Sequence, residues 1–231
     1  VWGGLGTGMK FPQVSVFRFL LQSGDPKAIE AVLKTCRHMM DGGIYDQVMG
    51  GFHRYAVDRE WLVPHFEKML YDQAQLMELY LDAWQMTGEE KFREVVEGIA
   101  DYVLRELTHP EGGFYCAQDA QSEGKEGKCF CWTEKELVAL LTPEEMKVAR
   151  EVLGVSEKGN FIDQSDPEPL PNQNILSFKN PRKNLSSSDK NLVAGIFKKL
   201  AVVRGKRVPP ATDDKILASW NGLMIGAMAR T

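Results

Sequence analysis

Between Gly42 and Asp72 the chain reads GGIYDQVMGGFHRYAVDREWLVPHFEKMLYD, a stretch too polar to serve only as core filling. His53 and His65 are its two groups suited to carry a proton near neutral pH. Glu67 supplies a carboxylate beside them, and Arg54 a planar fork able to clamp a carboxylate or a set of hydroxyls. Asp46, Tyr71 and Asp72 add further polar contacts. Helical periodicity from Pro64 puts His65 in a first turn, where free backbone N–H groups favour a neutral imidazole, the form a general base requires. The catalytic candidates are therefore His53, His65, Glu67 and, further along, Asp119. The binding candidates are Asp46, Arg54, Tyr71, Asp72, Trp220 and Asn221. Each has a structural counterpart. His65 and Glu67 can brace a loop within a buried polar network. Arg54 can pin the loop through Asp46 or Asp58, and Asp213 or Asp214 can cap the helix that carries Trp220. Trp220 suits stacking on a ring but equally suits a core.

The elements that must position these groups are mainly helical. Apolar residues recur at three- and four-residue spacing over 28–40, 64–84, 89–107, 133–141, 143–153, 188–203 and 215–230. Thr142 with Glu145, and Thr133 with Glu136, have capping-box spacing, and Pro64 and Pro143 fit first-turn proline. Ser187 and Ser188 stand ready to cap the helix after them. Met69, Leu70, Leu76, Met77 and Leu79 form a stripe read as packing. Strand signals are confined to 114–119 and 128–133, flanking a polar loop at 122–127, with 51–57 as another short extended piece. Residues 154–184, rich in Pro, Asn, Asp and Ser, read as a long surface excursion. Gly-Gly-apolar steps recur at Gly3-Gly4-Leu5, Gly42-Gly43-Ile44 and Gly112-Gly113-Phe114. Helix, Gly-Gly turn, loop and helix in repetition is how a series of helical hairpins is written.

The bulk properties narrow the function. A net charge of -4 over 231 residues, with only a local basic run from Lys198 to Arg207, excludes a nucleic-acid partner from the reading. No apolar run approaches the roughly 20 residues of a membrane helix, so no membrane partner is expected. Cys36, Cys116, Cys129 and Cys131 lack disulfide-scaffold spacing; they read as buried reduced thiols, and the cytoplasm is the expected compartment. Cys129 and Cys131 share a face if extended, and Cys116 opposite would make a three-thiolate site, but no metal is assigned. No phosphate loop or HExxH is present, and no cofactor is expected.

The strings GGIYDQ, GGFHRY, VPHFEKMLYDQAQL, DDKILASWNGLMI and the GGFY and SEG segments resemble the spermatogenesis-associated thioredoxin-like protein family. The likeness runs from Trp2 to Met228. In that family a thioredoxin-like domain precedes an (α/α)6 barrel similar to N-acylglucosamine 2-epimerases and six-hairpin glycosidases. The resemblance thus implies an all-α fold: one domain over residues 1–231, a partial (α/α)6 toroid of helical hairpins with one small β-hairpin, and no thioredoxin-like domain within it. It departs from the family where Gly8-Met9-Lys10-Phe11-Pro12 stands for APKFP and Met49-Gly50-Gly51 for a triple glycine. Gln118 and Gln121 replace acids in EDADSEG, leaving Asp119 alone. The expected function is sugar epimerase or isomerase chemistry by the His53/His65 pair on a small-molecule saccharide. Two alternatives stand beside it: a non-catalytic ligand- or partner-binding barrel, and glycoside hydrolysis by paired carboxylates.

Overall fold

The computed structural model describes residues 1–231, residue 183 by its backbone alone. Among the described residues there are eight α-helices: α1 (Val14–Gln22), α2 (Pro26–Asp41), α3 (Leu70–Thr87), α4 (Glu90–Glu106), α5 (Glu134–Leu140), α6 (Pro143–Glu151), α7 (Ser187–Arg204) and α8 (Ala218–Met228). Short connections fold α1 on α2, α3 on α4 and α5 on α6, so the expected helical-hairpin character is what the chain shows. α3 is the central element, packing against α1, α4 and α8. Its Leu70, Leu76, Met77 and Leu79 are buried, whereas Met69, one residue before the helix, is half-buried. One core joins α1–α4 with α8, and a second lies among α5–α7 with the fully buried Trp132. The helix signals that hold are local ones: Thr133 with Glu136 and Thr142 with Glu145 both form complete capping boxes. Ser186, one residue before the expected pair, caps α7 through Asp189 N.

The strands differ from expectation. Nine two-residue strands form: β1 (Tyr55–Ala56), β2 (Pro64–His65), β3 (Lys68–Met69), β4 (Ala117–Gln118), β5 (Gln121–Ser122), β6 (Lys125–Glu126), β7 (Trp132–Thr133), β8 (Gln173–Asn174) and β9 (Thr212–Asp213). Residues 114–119 and 128–133 are not partners. β4 lies between β3 and β9, β5 pairs β6 around Glu123-Gly124, and β7 pairs β8, all antiparallel. The 154–184 stretch is therefore more than surface excursion. Its Asn174 is fully buried and donates to Trp132 O (3.1 Å), while Ile175 enters a small core with Phe66, Ala120 and Cys131. Asp213 lies in β9 rather than at a helix cap, because α8 begins at Ala218 after Leu217.

The difference that matters most is at 64–69. No helix starts at Pro64: Tyr55 pairs His65, Lys68 pairs Gln118, and Leu70 N donates to Cys116 O (2.8 Å). Pro64 brings no N–H, and extended neighbours on both sides take up the backbone that a helical turn would otherwise have satisfied internally. His65 consequently has no helix terminus beneath it.

Candidate active site

Because 64–69 is extended, successive side chains leave it on opposite sides. His65 and Glu67 are half-buried on one side; Phe66 and Lys68 are each 1% exposed on the other. Arg54 joins the first side, since its N–H donates to Glu67 O (2.8 Å) and its Nη1 to Glu67 Oε2 (2.8 Å). The ion pair expected from Arg54 to Asp46 or Asp58 is thus made with Glu67 instead.

His65 is the centre of this side. Its Nδ1 lies 2.8 Å from Glu126 Oε1, an oxygen that also accepts from Phe66 N (3.2 Å). Its Nε2 lies 3.8 Å from Glu67 Oε2. The Glu126 hydrogen bond raises the imidazole pKa above its ordinary value, against the opposing effect of burial. Tyr55 stacks on the imidazole at 5.0 Å, and Phe11 on Tyr55 at 4.6 Å. The group borders a pocket of about 600 Å³ lined by Tyr55, Pro64, His65, Glu126, Phe161 and Asp163, among others. Beyond Arg54, Tyr71 meets Trp220 edge-on at 4.8 Å. Asp72 is 9% exposed, and its Oδ2 has no hydrogen-bond partner among the described residues. Burial raises its pKa to about 7, with Arg54 opposing.

Four expected site residues do other work. His53 is 2% exposed, wedged edge-on between Phe66 (5.1 Å) and Phe130 (4.9 Å), with Nδ1 2.8 Å from Phe66 O. Burial, helped by the charge of Lys68, pulls its pKa down to about 3. It is therefore a neutral strut on the far side of Phe66 from the pocket, not a partner for His65. Asp46 is locked between Lys68 Nζ (2.8 Å) and a bidentate Arg204 (2.9 and 2.7 Å), which leaves it no oxygen to offer a substrate. Burial pushes its carboxyl up, but the two cations outweigh this and hold it well below the usual range. Asp119 is exposed and accepts from Gln121 N (3.0 Å), a turn bond. Asn221 clamps the backbone of Phe114, accepting from its N–H (2.7 Å) and donating to its carbonyl (2.9 Å). Trp220, by contrast, remains next to Tyr71. The residues that sequence reading missed are Tyr55, Lys68, Glu126 and Arg204. Period-two alternation through His65, Phe66, Glu67 and Lys68 was a usable signal for Lys68; nothing local marks Glu126. The four cysteines are free and buried, and among the described residues no cluster of three or more His, Cys, Asp or Glu could hold a metal ion. Among the described residues, no helix is long and apolar enough to cross a membrane.

No protein-family model matches the chain. Spermatogenesis-associated protein 20 of Homo sapiens is 38% identical over 262 aligned positions, covering 100% of this chain and 33% of that protein. The Mus musculus protein of the same name gives the same identity and coverage. The chain is a homologue of spermatogenesis-associated protein 20. It spans about a third of the length of the curated relatives it matches. An uncharacterized Caenorhabditis elegans protein is 33% identical over 99% of this chain and 35% of its own length. Among solved structures, a cellobiose 2-epimerase from Bacillus thermoamylovorans aligns with a TM-score of 0.44 at 10% identity, over 97% of this chain and 61% of that one. A sugar epimerase from a ruminal bacterium aligns with a TM-score of 0.41 at 17% identity, over 53% of this chain and 34% of that one.

Proposed function

We propose that the pocket beside His65 takes a saccharide-sized polyhydroxyl ligand and that His65 moves a proton on it, within a partial barrel of helical hairpins. One observation carries this reading: a pocket-lining imidazole held between two carboxylates, Glu126 at 2.8 Å and Glu67 at 3.8 Å. Glu126 fixes the proton on Nδ1, so that Nε2 of the neutral ring is the basic atom. A base there removes a proton from the carbon beside a sugar carbonyl and can return it to the former carbonyl carbon, while the proton of the neighbouring hydroxyl passes to the former carbonyl oxygen. Arg54, paired with Glu67 beside His65, would clamp hydroxyls of a ligand that extends past the pocket wall. With His53 buried behind Phe66, the site offers one imidazole rather than two. A single base suits same-face transfer, as in aldose–ketose isomerisation, better than two-base epimerisation.

The test is proton NMR in D2O with reducing sugars and N-acyl hexosamines. Loss of the C2 proton signal with the native chain, but not with His65→Gln of unchanged melting temperature, is the expected result. Unchanged sugars with both proteins overturn the catalytic reading. A second reading, a non-catalytic binding barrel, is favoured by the closed pairing of His65, Glu126, Glu67 and Arg54 among themselves. It predicts that His65→Gln lowers the melting temperature and that no sugar exchanges.

A further inference from the structure

On the side of the 64–69 strand that carries Lys68 lies a second cavity of about 210 Å³. Its wall holds four cations, Lys68, Arg105, Arg204 and Arg207, against two carboxylates, Asp46 and Glu106, a local surplus of positive charge in a chain of net charge -4. The surplus is built rather than incidental. Asp46 alone serves both Lys68 (2.8 Å) and Arg204 (2.9 and 2.7 Å), and these two cations are 1% and 5% exposed. Arg207 is held by the carbonyls of Cys129 (2.9 Å) and Cys131 (2.7 Å), lies 3.8 Å over the Trp132 ring, and pairs outside the cavity wall with the half-exposed Glu136 (3.1 Å). Arg105 stands at the more exposed edge, donating to Glu106 (2.8 Å) and to Met49 O (2.7 Å). Lys68 Nζ also donates to Gly50 O (2.9 Å) and sits 4.3 Å from the Tyr102 ring and 5.1 Å from Phe130, the placement that eases a cation short of anions.

Gathering cations in a desolvated wall costs free energy unless an anion answers them. The strain shows in the groups themselves. Burial brings Lys68 down to about 8 despite Asp46, with Arg204 adding to the fall, and burial holds Arg207 below its ordinary value. We propose that this cavity binds a small oxyanion of the phosphate class, as the free ion or as the phosphoryl end of a small ester. Its volume is below the several hundred Å³ that enclose a drug-sized ligand, which fits an anion and not an oligosaccharide.

The test is calorimetric titration of the native chain at low ionic strength with inorganic phosphate, then with a hexose 6-phosphate and the matching unphosphorylated hexose. Saturable phosphate binding is expected, weakened about tenfold in Arg105→Gln and strengthened severalfold in Glu106→Gln, since each changes one wall charge near the anion. Arg93→Gln, which removes an exposed cation that pairs Glu90 and Glu97 outside the cavity wall, leaves it unchanged. A hexose phosphate that binds more tightly than phosphate supports the ester; equal or weaker binding supports the free ion. If Arg105→Gln lowers stability, Glu106→Gln still decides the matter through its gain. Absence of saturable phosphate binding up to roughly 10 mM, or equal weakening by Arg93→Gln, overturns the proposal.

Discussion

Replacing Asp46 by Asn separates a structural role from a substrate role at this position. Asn keeps the side-chain shape and removes the charge, leaving Lys68 and Arg204 buried without their shared carboxylate. Breaking a buried pair by removing one partner costs about 3–5 kcal/mol, and here two partners are orphaned. For 231 residues, an unfolding entropy of roughly 2.1 cal/mol/K per residue means about 2 °C of melting temperature per kcal/mol, so a fall of about 8 °C is expected. The assay is thermal and urea melts of the native chain, Asp46→Asn, Lys68→Met and the double variant. Lys68→Met should destabilise the native protein but stabilise Asp46→Asn, where it removes an orphaned charge. The pH dependence has a definite sign. Asp46 has a depressed pKa when folded, so its contribution is present above the unfolded value near 3.9 and is lost as pH falls below it. The gap between native and Asp46→Asn melts should therefore narrow below about pH 4. A fall of less than about 2 °C at pH 7, or an equal effect of Lys68→Met in both backgrounds, refutes the argument.

His53, down at about 3 when folded against roughly 6.5 unfolded, makes the folded state bind fewer protons between those values. Stability should rise with pH there by up to about 1.4 kcal/mol per unit, and His53→Leu should flatten that slope in melts run from pH 4 to 7. Glu126→Gln should lower the His65 titration midpoint followed by NMR, because the Glu126 hydrogen bond is the largest cause of its rise. Gly50→Ala should be among the most destabilising single changes: its φ is +76°, and a Cβ would sit 2.2 Å from Gly98 O, so chemical denaturation should show a loss of at least about 2 kcal/mol. Thr142→Ala removes a capping-box acceptor and should cost about 1 kcal/mol, measurable in the same way.

The helical hairpins were legible because their signals are local. Thr142-Pro143 with Glu145 states a helix start within four residues, and the apolar stripe of α3 repeats long enough to be unambiguous. α1, only nine residues from Val14 to Gln22, offers too few turns for its period to stand out. The strands were illegible for the opposite reason. Each is two residues long, and their partners are set by packing across the chain, as with β4 between β3 and β9. The hairpin expected between 114–119 and 128–133 followed from nearness in sequence, which says nothing about Asp213 lying opposite Ala117.

The site was read through one mistaken period. Taken as the opening of a helix, PHFEKM sets His65 in the same first turn as Glu67 and lines it up with Lys68 and Asp72. Taken as strand, the same letters sort into two environments: His65 and Glu67 toward a half-buried side where His65 borders the pocket, Phe66 and Lys68 toward the interior. That sorting explains why both histidines could be chosen as candidates when only His65 reaches the pocket. His53 packs against Phe66, the residue that divides the two sides, and inherits the interior's chemistry: neutral, aromatic and closed. Lys68 is the more provocative residue chemically, since a lysine in a helical register is expected to point to water. Buried instead at 1% exposure, it draws Asp46 inward as its counter-charge and, through Asp46, the last turn of α7 at Arg204. A single alternation in six residues thus places His65 and its two carboxylates on one side and the cationic cavity on the other, and joins that cavity through Asp46 to Arg204 at the end of α7.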